Sequence, residues 1–365
     1  MLVTHAPLLD AIAAGAVANS YLFGAQECAN IIWSCARLQL TDGPLMEAIS
    51  SASIDTIGDF IPQHLGNTAW AMARMKYVDV PLLDAIAASA VTLIRDCDQQ
   101  EISNILWAFA KMAVKNEQLL TALSSTSVAQ LSFNAQGLSN MAWSCAVLLF
   151  RPPQMLEAIA QEAMLRLETF TEQNLANTAW AFAKLQCENP PLLAAISGAA
   201  LAKMPQFFPQ ALSNMAWSLA TMIVRDTTML DAISAQSRAI ITQFNHQNMA
   251  NTLWSYATLG YFDDPLLDAI ASAAVDKISN FPVQELVNSA WAMARLTFFH
   301  VPLQDALAEA ARNKIQQYKA RDLSNTVWAF ARLKITDPTL INAIASHARE
   351  KIADCLPQEL SNLAW

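Results

Sequence analysis

Hydrophobic and polar positions along the chain keep helical spacing, and the whole pattern returns about every 37 residues. The stretch from Gln173 to Leu185 (QNLANTAWAFAKL) shows one copy. It is rich in good helix formers and holds neither Gly nor Pro. On a helical wheel of about 100° per residue, Leu175, Ala179, Phe182 and Leu185 share one face. Ala176, Ala181 and Ala183 stand at its flanks, and Gln173, Asn177, Trp180 and Lys184 fall together on the opposite stripe. Asn189-Pro190-Pro191 ends this helix, and a second runs from Leu192 to about Leu201. Other copies break at Asp-Pro, as in Asp264-Pro265 and Asp337-Pro338, which reads as an Asp N-cap followed by Pro in the first turn. The pattern therefore predicts a unit of two helices: A after the proline, and B carrying the Trp. The Ala of Leu-x-x-Ala-Ile recurs in all nine complete A helices, from Ala48 to Ala343, and permits close approach to a neighbour.

Ten tryptophans set the register: Trp33, Trp70, Trp107, Trp143, Trp180, Trp217, Trp254, Trp291, Trp328 and Trp365. Their spacing is 37 residues, with one step of 36 between Trp107 and Trp143. Asn stands three residues before each: Asn30, Asn67, Asn104, Asn140, Asn177, Asn214, Asn251, Asn288, Asn325 and Asn362. Gln stands seven before in nine of ten: Gln26, Gln63, Gln100, Gln136, Gln173, Gln210, Gln247, Gln284 and Gln358, with Arg321 as the exception. A period of this length marks stacked units that bury their apolar faces only against neighbours. The expected fold is all-α: a right-handed-type α-solenoid of about ten two-helix repeats, running as one array over residues 1–365. Trp365 falls in mid-helix, so the array is expected to be cut at its C-terminal end at least.

Charge sharpens the picture. The net charge of −9 argues on its own against a nucleic-acid partner. Yet four residues after the Trp stand Arg37, Arg74, Lys111, Lys184, Arg295 and Arg332, with Val147, Thr221 and Thr258 departing. A second basic set follows the Trp by 23 residues: Arg166, Lys203, Lys277, Lys314 and Lys351. Acidic residues recur instead early in helix A, at Glu47, Asp84, Glu157, Asp231, Asp268 and Asp305. Salt screening limits the reach of those outer charges to about 8–10 Å, so an acidic chain can still carry a locally basic surface. Contacts of that surface to phosphate would be salt-dependent.

Each ladder has two readings. The Trp is either a packing clamp on the neighbouring B helix or a platform for bases, worth about 1–3 kcal/mol per stacked base. The Asn either bonds the next repeat or holds a feature that every ligand unit shares. An invariant Asn or Gln cannot tell one base from another, so discrimination must come from a position that varies. The residue six before the Trp is such a position: Glu27, His64, Glu101, Asn174, Asn248, Glu285 and Asp322 are the specificity candidates, or else ordinary helix-start residues. The basic stripe after the Trp is expected to be functional.

No catalytic chemistry is visible. The five histidines lie at unrelated spacings, and only His347 has a carboxylate one turn away, at Glu350, an arrangement usual at a surface. No P-loop, GxGxxG or HExxH is present, and no enzyme activity, cofactor, metal site or small-molecule substrate is expected. Six cysteines without a CxxC pair read as buried free thiols. No apolar run of about 20 residues survives unbroken, so no membrane span is expected. The segment Met1 to Ile12 shows no targeting signal.

The segments QNLANTAWAFAKL (173–185), QEISNILWAFAKM (100–112) and QNMANTLWSYATLG (247–260) resemble the octotricopeptide and heptatricopeptide α-solenoid repeats of organellar proteins. These include FAST-kinase-domain and RAP-domain proteins, and the repeats are similar to those of RNA-editing substrate-binding complexes. The resemblance covers essentially the whole chain, although no RAP-like domain is present. It implies single-stranded RNA binding in processing, stability or translation, in a mitochondrion or chloroplast, with other proteins of a ribonucleoprotein complex as further partners. The RNA path implied is about one nucleotide per repeat. The alternative is an armadillo-like scaffold whose Asn and Trp ladders grip an extended basic peptide. The basic stripe favours RNA, and the net charge favours the peptide.

Overall fold

The computed structural model describes residues 6–125 and 133–364. Twenty α-helices lie among them, and no strand does. In chain order they are α1 (Ala6–Asn19), α2 (Ala25–Leu38), α3 (Gly43–Asp55), α4 (Pro62–Met75), α5 (Val80–Thr92), α6 (Gln99–Lys111) and α7 (Glu117–Ser124). They continue with α8 (Ala135–Val147), α9 (Pro153–Met164), α10 (Glu172–Lys184), α11 (Pro190–Lys203), α12 (Pro209–Thr221), α13 (Thr227–Ala239) and α14 (His246–Leu259). The last six are α15 (Asp264–Val275), α16 (Val283–Leu296), α17 (Val301–Lys314), α18 (Ala320–Arg332), α19 (Pro338–Lys351) and α20 (Pro357–Ala364). Odd-numbered helices are the A helices and even-numbered ones the B helices. Trp365, the tenth Trp, and His5 lie outside the described residues.

The chain divides into two compact units, Met1–Ala195 and Ile196–Trp365. Each is a stretch of α-solenoid. Even helices pack on the next even helix from α2 to α10 in the first unit and from α12 to α20 in the second, and these are the most extensive helix contacts. Odd helices pack on the next odd one from α1 to α7 and from α13 to α19.

Small residues make the even-helix packing possible. The residue after the Trp is Ala or Ser in every unit, and from Ala71 to Ala329 it is buried. Four residues before the Trp stand Gly66, Ser103, Ser139, Ala176, Ser213 and Ala250, all buried. A Cβ on Gly66 would lie 3.3 Å from the Glu101 backbone on the next even helix, so the approach leaves almost no spare room. The wheel is realised in α10: Leu175, Ala179, Phe182 and Leu185 are buried, as are Ala176, Ala181 and Ala183. Gln173 and Lys184 are exposed, while Asn177 and Trp180 are half-buried.

The turns repeat as closely as the helices. Odd helices start with an acceptor N-cap: Asp42, Asp79, Asn116, Asn189, Asp226, Asp263 and Asp337 each take the N–H of the residue three positions on. At Asp264-Pro265 this corrects the expected start. Asp263 accepts from Leu266, and Asp264 already lies inside α15. Even helices end six residues after the Trp in a left-handed residue: Gln39, Lys76, Ala113, Leu149, Gln186, Ile223, Gly260, Thr297 and Lys334. The next N–H then bonds back to the carbonyl five residues earlier, as in Val224 to Leu219 at 2.9 Å. Only one of these nine residues is Gly.

A ladder that the pattern reading passed over plugs each odd-to-even turn. Phe60, Cys97, Phe133, Phe170, Phe207, Phe244, Phe281 and Tyr318 stand ten residues before a Trp, and all are buried. Most follow a short 3-10 turn and adopt extended backbone, which aims the ring into the core between the two helices.

Two stability outcomes follow. Phe281→Ala should lower unfolding free energy by about 3–5 kcal/mol in urea titration. Ile223→Gly should raise it by about 1–2 kcal/mol, because a β-branched residue at φ 54° carries a penalty that Gly does not.

Candidate functional site

The stripe residues of the even helices form one surface in each unit. The Gln ladder is exposed at Gln26, Gln63, Gln100, Gln136, Gln173, Gln210, Gln247 and Gln284. The Asn ladder is half-buried from Asn67 to Asn325 and exposed at Asn30. The nine described tryptophans sit between the two proposed extremes. Trp33 is 41% exposed and the other eight are half-buried, so each indole packs along one side and shows the other.

The Asn side chains carry the decisive geometry. Asn30, Asn67, Asn104, Asn140, Asn177, Asn214, Asn251, Asn288 and Asn325 make no side-chain hydrogen bond to any described residue. Their backbone carbonyls do work: those of Asn140, Asn214 and Asn251 accept the hydroxyls of Ser144, Ser218 and Ser255 at 2.7, 2.6 and 2.6 Å. The Gln side chains from Gln26 to Gln284 likewise bond no described residue. Asn362 differs, accepting from Gln358 at 3.2 Å. An amide presents two donors and two lone pairs, and these amides stand at the solvent boundary with both free to meet a ligand. Five such amides in the first unit and four in the second are therefore open hydrogen-bonding sites.

The amides line clefts between consecutive even helices. In the first unit, Gln100 and Asn104 face Gln136 and Asn140 across a cleft of about 260 Å³, with Asp98 and Asn134 at its edge. In the second, Gln284 and Asn288 face Arg321 and Asn325 across about 370 Å³. The largest of these three, about 520 Å³, is walled by Trp254, Trp291, Asn288, Asn325, Asn362 and Arg321. Asn and Trp ladders thus share one concave surface there.

The basic stripe lies beside the indoles. Arg37, Arg74, Lys111, Lys184, Arg295 and Arg332 are all exposed. The guanidinium of Arg37 lies over Trp33 at 5.4 Å, that of Arg74 over Trp70 at 5.7 Å, and that of Arg332 over Trp328 at 5.3 Å. Such contacts contribute about 0.5–1 kcal/mol at an exposed site and hold the cation in place. Arg332 Nε also donates to the Ala294 carbonyl at 3.2 Å, tying it to the preceding repeat.

The position six before the Trp has a structural use. Glu27 and Glu101 accept the Gly24 and Asp98 backbone N–H at 3.1 and 2.6 Å, and Asp322 accepts that of Lys319 at 3.0 Å. Asn174 and Asn248 accept from Thr171 and Asn245, and donate to Ser139 and Ser213 of the preceding even helix, both at 3.1 Å. Glu285 approaches His246 at 3.6 Å. His64 packs edge-on to Phe60 with its ring centroid 5.6 Å away. Burial pushes the Glu101 carboxyl above its ordinary range, and the Asp98 N–H opposes that shift. Of these seven, only Asp322 lines one of the clefts just described.

The second basic set, 23 residues after the Trp, is not on the stripe. Arg166 donates to the Phe133 carbonyl at 2.8 Å, Lys277 to that of Phe244 at 2.8 Å and Lys314 to that of Phe281 at 2.5 Å. Each latches one repeat to the plug residue of the repeat before. Gln236 and His347 do the same to Phe207 and Tyr318 at 3.3 and 3.2 Å. His347 is thus buried in a repeat junction, while its Nδ1 still stands 3.4 Å from the exposed Glu350 carboxylate, and the expected helix-A share of the basic surface is withdrawn. Among the cysteines, Cys28, Cys35, Cys97 and Cys145 are buried free thiols, whereas Cys187 and Cys355 are half-buried.

The RNA-editing substrate-binding complex 6 protein model matches residues 8–301 and 260–338. The chain belongs to that family. This is one of the families that the Gln, Asn and Trp motif resembles. No curated protein sequence matches the family's member described here. A chain from a homology model of the full-length AP-3 complex in an intermediate open conformation is similar over 98% of this chain and 70% of its own, at 12% identity and a TM-score of 0.40. The pentatricopeptide repeat protein PPR10, in complex with an 18-nt psaJ RNA element, is similar over 96% and 76%, at 10% identity and a TM-score of 0.21.

Lys314→Ala should destabilise the family's fold by about 1–3 kcal/mol, since it strands the Phe281 and Ser279 carbonyls. Iodoacetamide at neutral pH should spare Cys97 and Cys145, whose thiols burial pushes up to about 11 and about 12, until urea unfolds the chain. Mass spectrometry reads the alkylated sites.

Proposed function

We propose that this chain binds single-stranded RNA along the Gln, Asn and Trp stripe of its even helices, and acts by binding rather than by catalysis. The observation that carries the reading is the set of stripe asparagines, five in the first unit and four in the second, whose side chains bond no described residue and stand beside indoles and cations. An extended ligand with a chemical repeat is what such a set fits. The Asn amide offers donor and acceptor together, which suits a ribose hydroxyl or a phosphate oxygen. Arg and Lys after the Trp neutralise phosphates, and the Arg-covered indoles offer stacking planes. The name of the family, an RNA-editing substrate-binding complex, supports RNA as the ligand and a multi-protein assembly as the setting. The fitting role is organellar RNA editing or processing, with about one nucleotide per repeat.

The peptide alternative draws on the net charge of −9. Its acidic row from Glu47 to Asp305 sits exposed on the odd helices, away from the stripe. No helix among the described residues is long and apolar enough to cross a membrane.

The test replaces Asn67, Asn104 and Asn140 together with Ala and measures binding of a labelled random single-stranded RNA pool beside a basic-peptide pool. RNA affinity should fall at least tenfold, at about 0.5–1.5 kcal/mol per lost hydrogen bond, with the melting temperature nearly unchanged. Unchanged RNA affinity, or capture of peptide alone, would sink the reading. Arg37→Ala with Arg74→Ala should weaken RNA binding and flatten its salt dependence by about 0.7 per lost phosphate contact.

A further inference from the structure

Arg321 breaks a ladder that Gln otherwise occupies in every unit. Its place in the fold makes the exception informative. Arg321 is the second residue of α18 and is exposed. It lines the two second-unit clefts of the stripe: the one it shares with Gln284, Asn288 and Asn325, and the one walled by Trp254 and Trp291. Its guanidinium makes no ion pair or hydrogen bond with a described residue, although Asp322 and Glu359 stand on the same cleft walls. Both carboxylates are engaged instead at helix starts, accepting the Lys319 and Leu356 backbone N–H at 3.0 and 2.8 Å.

The same cleft lacks the stripe's usual cation. Four residues after Trp254 stands Thr258, which lines the cleft, where six units have Arg or Lys. Arg321 brings a positive charge to it from two repeats further on. No cation among the described residues covers the Trp254 or Trp291 ring, so these indoles are open in a way that those of Trp33, Trp70 and Trp328 are not.

We propose that Arg321 is the anchoring phosphodiester contact of the RNA path, seating one nucleotide step in the cleft of Trp254 and Trp291. This rests on the RNA reading and deepens it. The other nine ladder positions hold a neutral amide that meets a feature common to every nucleotide. Arg at the same place meets that feature with charge and a two-pronged donor, which suits phosphate. The bound strand therefore has one strong point, and its register along the second unit is set there.

Arg321→Gln is a conservative test, because it restores the residue of all the other units. Binding of a fluorescein-labelled oligouridylate is followed by anisotropy across a potassium chloride series, for the native chain, Arg321→Gln and Gln284→Arg. Arg321→Gln should lower affinity about fivefold near 0.1 M salt and reduce the slope of log K against log salt by about 0.7. Gln284→Arg should steepen the slope by a similar amount. An Arg321→Gln variant with the native slope and affinity overturns the assignment while leaving the RNA reading intact. A native slope with altered preference among oligouridylate, oligocytidylate and oligoadenylate also overturns it, because Arg321 would then read a base. No binding by the native chain at low salt removes the RNA reading itself, and the assignment with it.

Discussion

The close contact of one even helix with the next is the constraint on which the rest of the structure depends. Ala or Ser after each Trp, and small residues four before it, let the backbones approach until a Cβ at Gly66 would nearly touch the Glu101 chain. Packing this tight leaves no freedom for the helices to turn about their axes. The side of each even helix that faces away from the core must therefore present the same three sequence positions at every step. The Gln, Asn and Trp ladders are a geometric consequence of the small-residue seam as much as a property of their own residues.

Two further devices hold that seam in register. Phe or Tyr plugs the odd-to-even turn, and a Lys, Arg, Gln or His from the next odd helix captures the plug residue's carbonyl. This bond to a carbonyl beside a buried ring orders the turn and ties two repeats at once, and it is charge-assisted where the donor is Lys or Arg. The left-handed residue after each even helix does the opposite of stabilising wherever it is not Gly. Ile223 and Thr297 are retained at a conformational cost, and the helix-to-helix geometry overrides local preference there.

Much of this was legible in the residues. Trp, Asn and Gln at fixed spacing announced the two-helix unit, and the wheel placed Gln173, Asn177, Trp180 and Lys184 on the solvent side, where they lie. The plug was missed because it falls in a connection, where apolar residues are not expected, and because Cys97 and Cys355 interrupt the aromatic series. The latch was misplaced for a different reason. Lys277 and Lys314 look like surface cations in the sequence, and only the fold brings a carbonyl from 33 residues earlier beneath each of them. At the site, the lack of a partner for the Asn amides could not be read at all, since that is a statement about every neighbouring side chain. The variable position six before the Trp looked free to vary for a ligand. In the structure five of the seven candidates, Glu27, Glu101, Asn174, Asn248 and Asp322, instead close a helix start by accepting a backbone N–H. Arg321 was visible as an exception, but its meaning waited on the cleft around it.

The account makes the even-helix stripe the ligand surface, and where a bound strand touches the chain tests this most directly. Photocrosslinking with 4-thiouridine-substituted single-stranded RNA, followed by peptide mapping, reads that contact residue by residue. The account predicts crosslinks within the even helices, concentrated on the Trp and Asn positions of successive repeats. Crosslinks confined to the odd helices or to their exposed acidic row would contradict it.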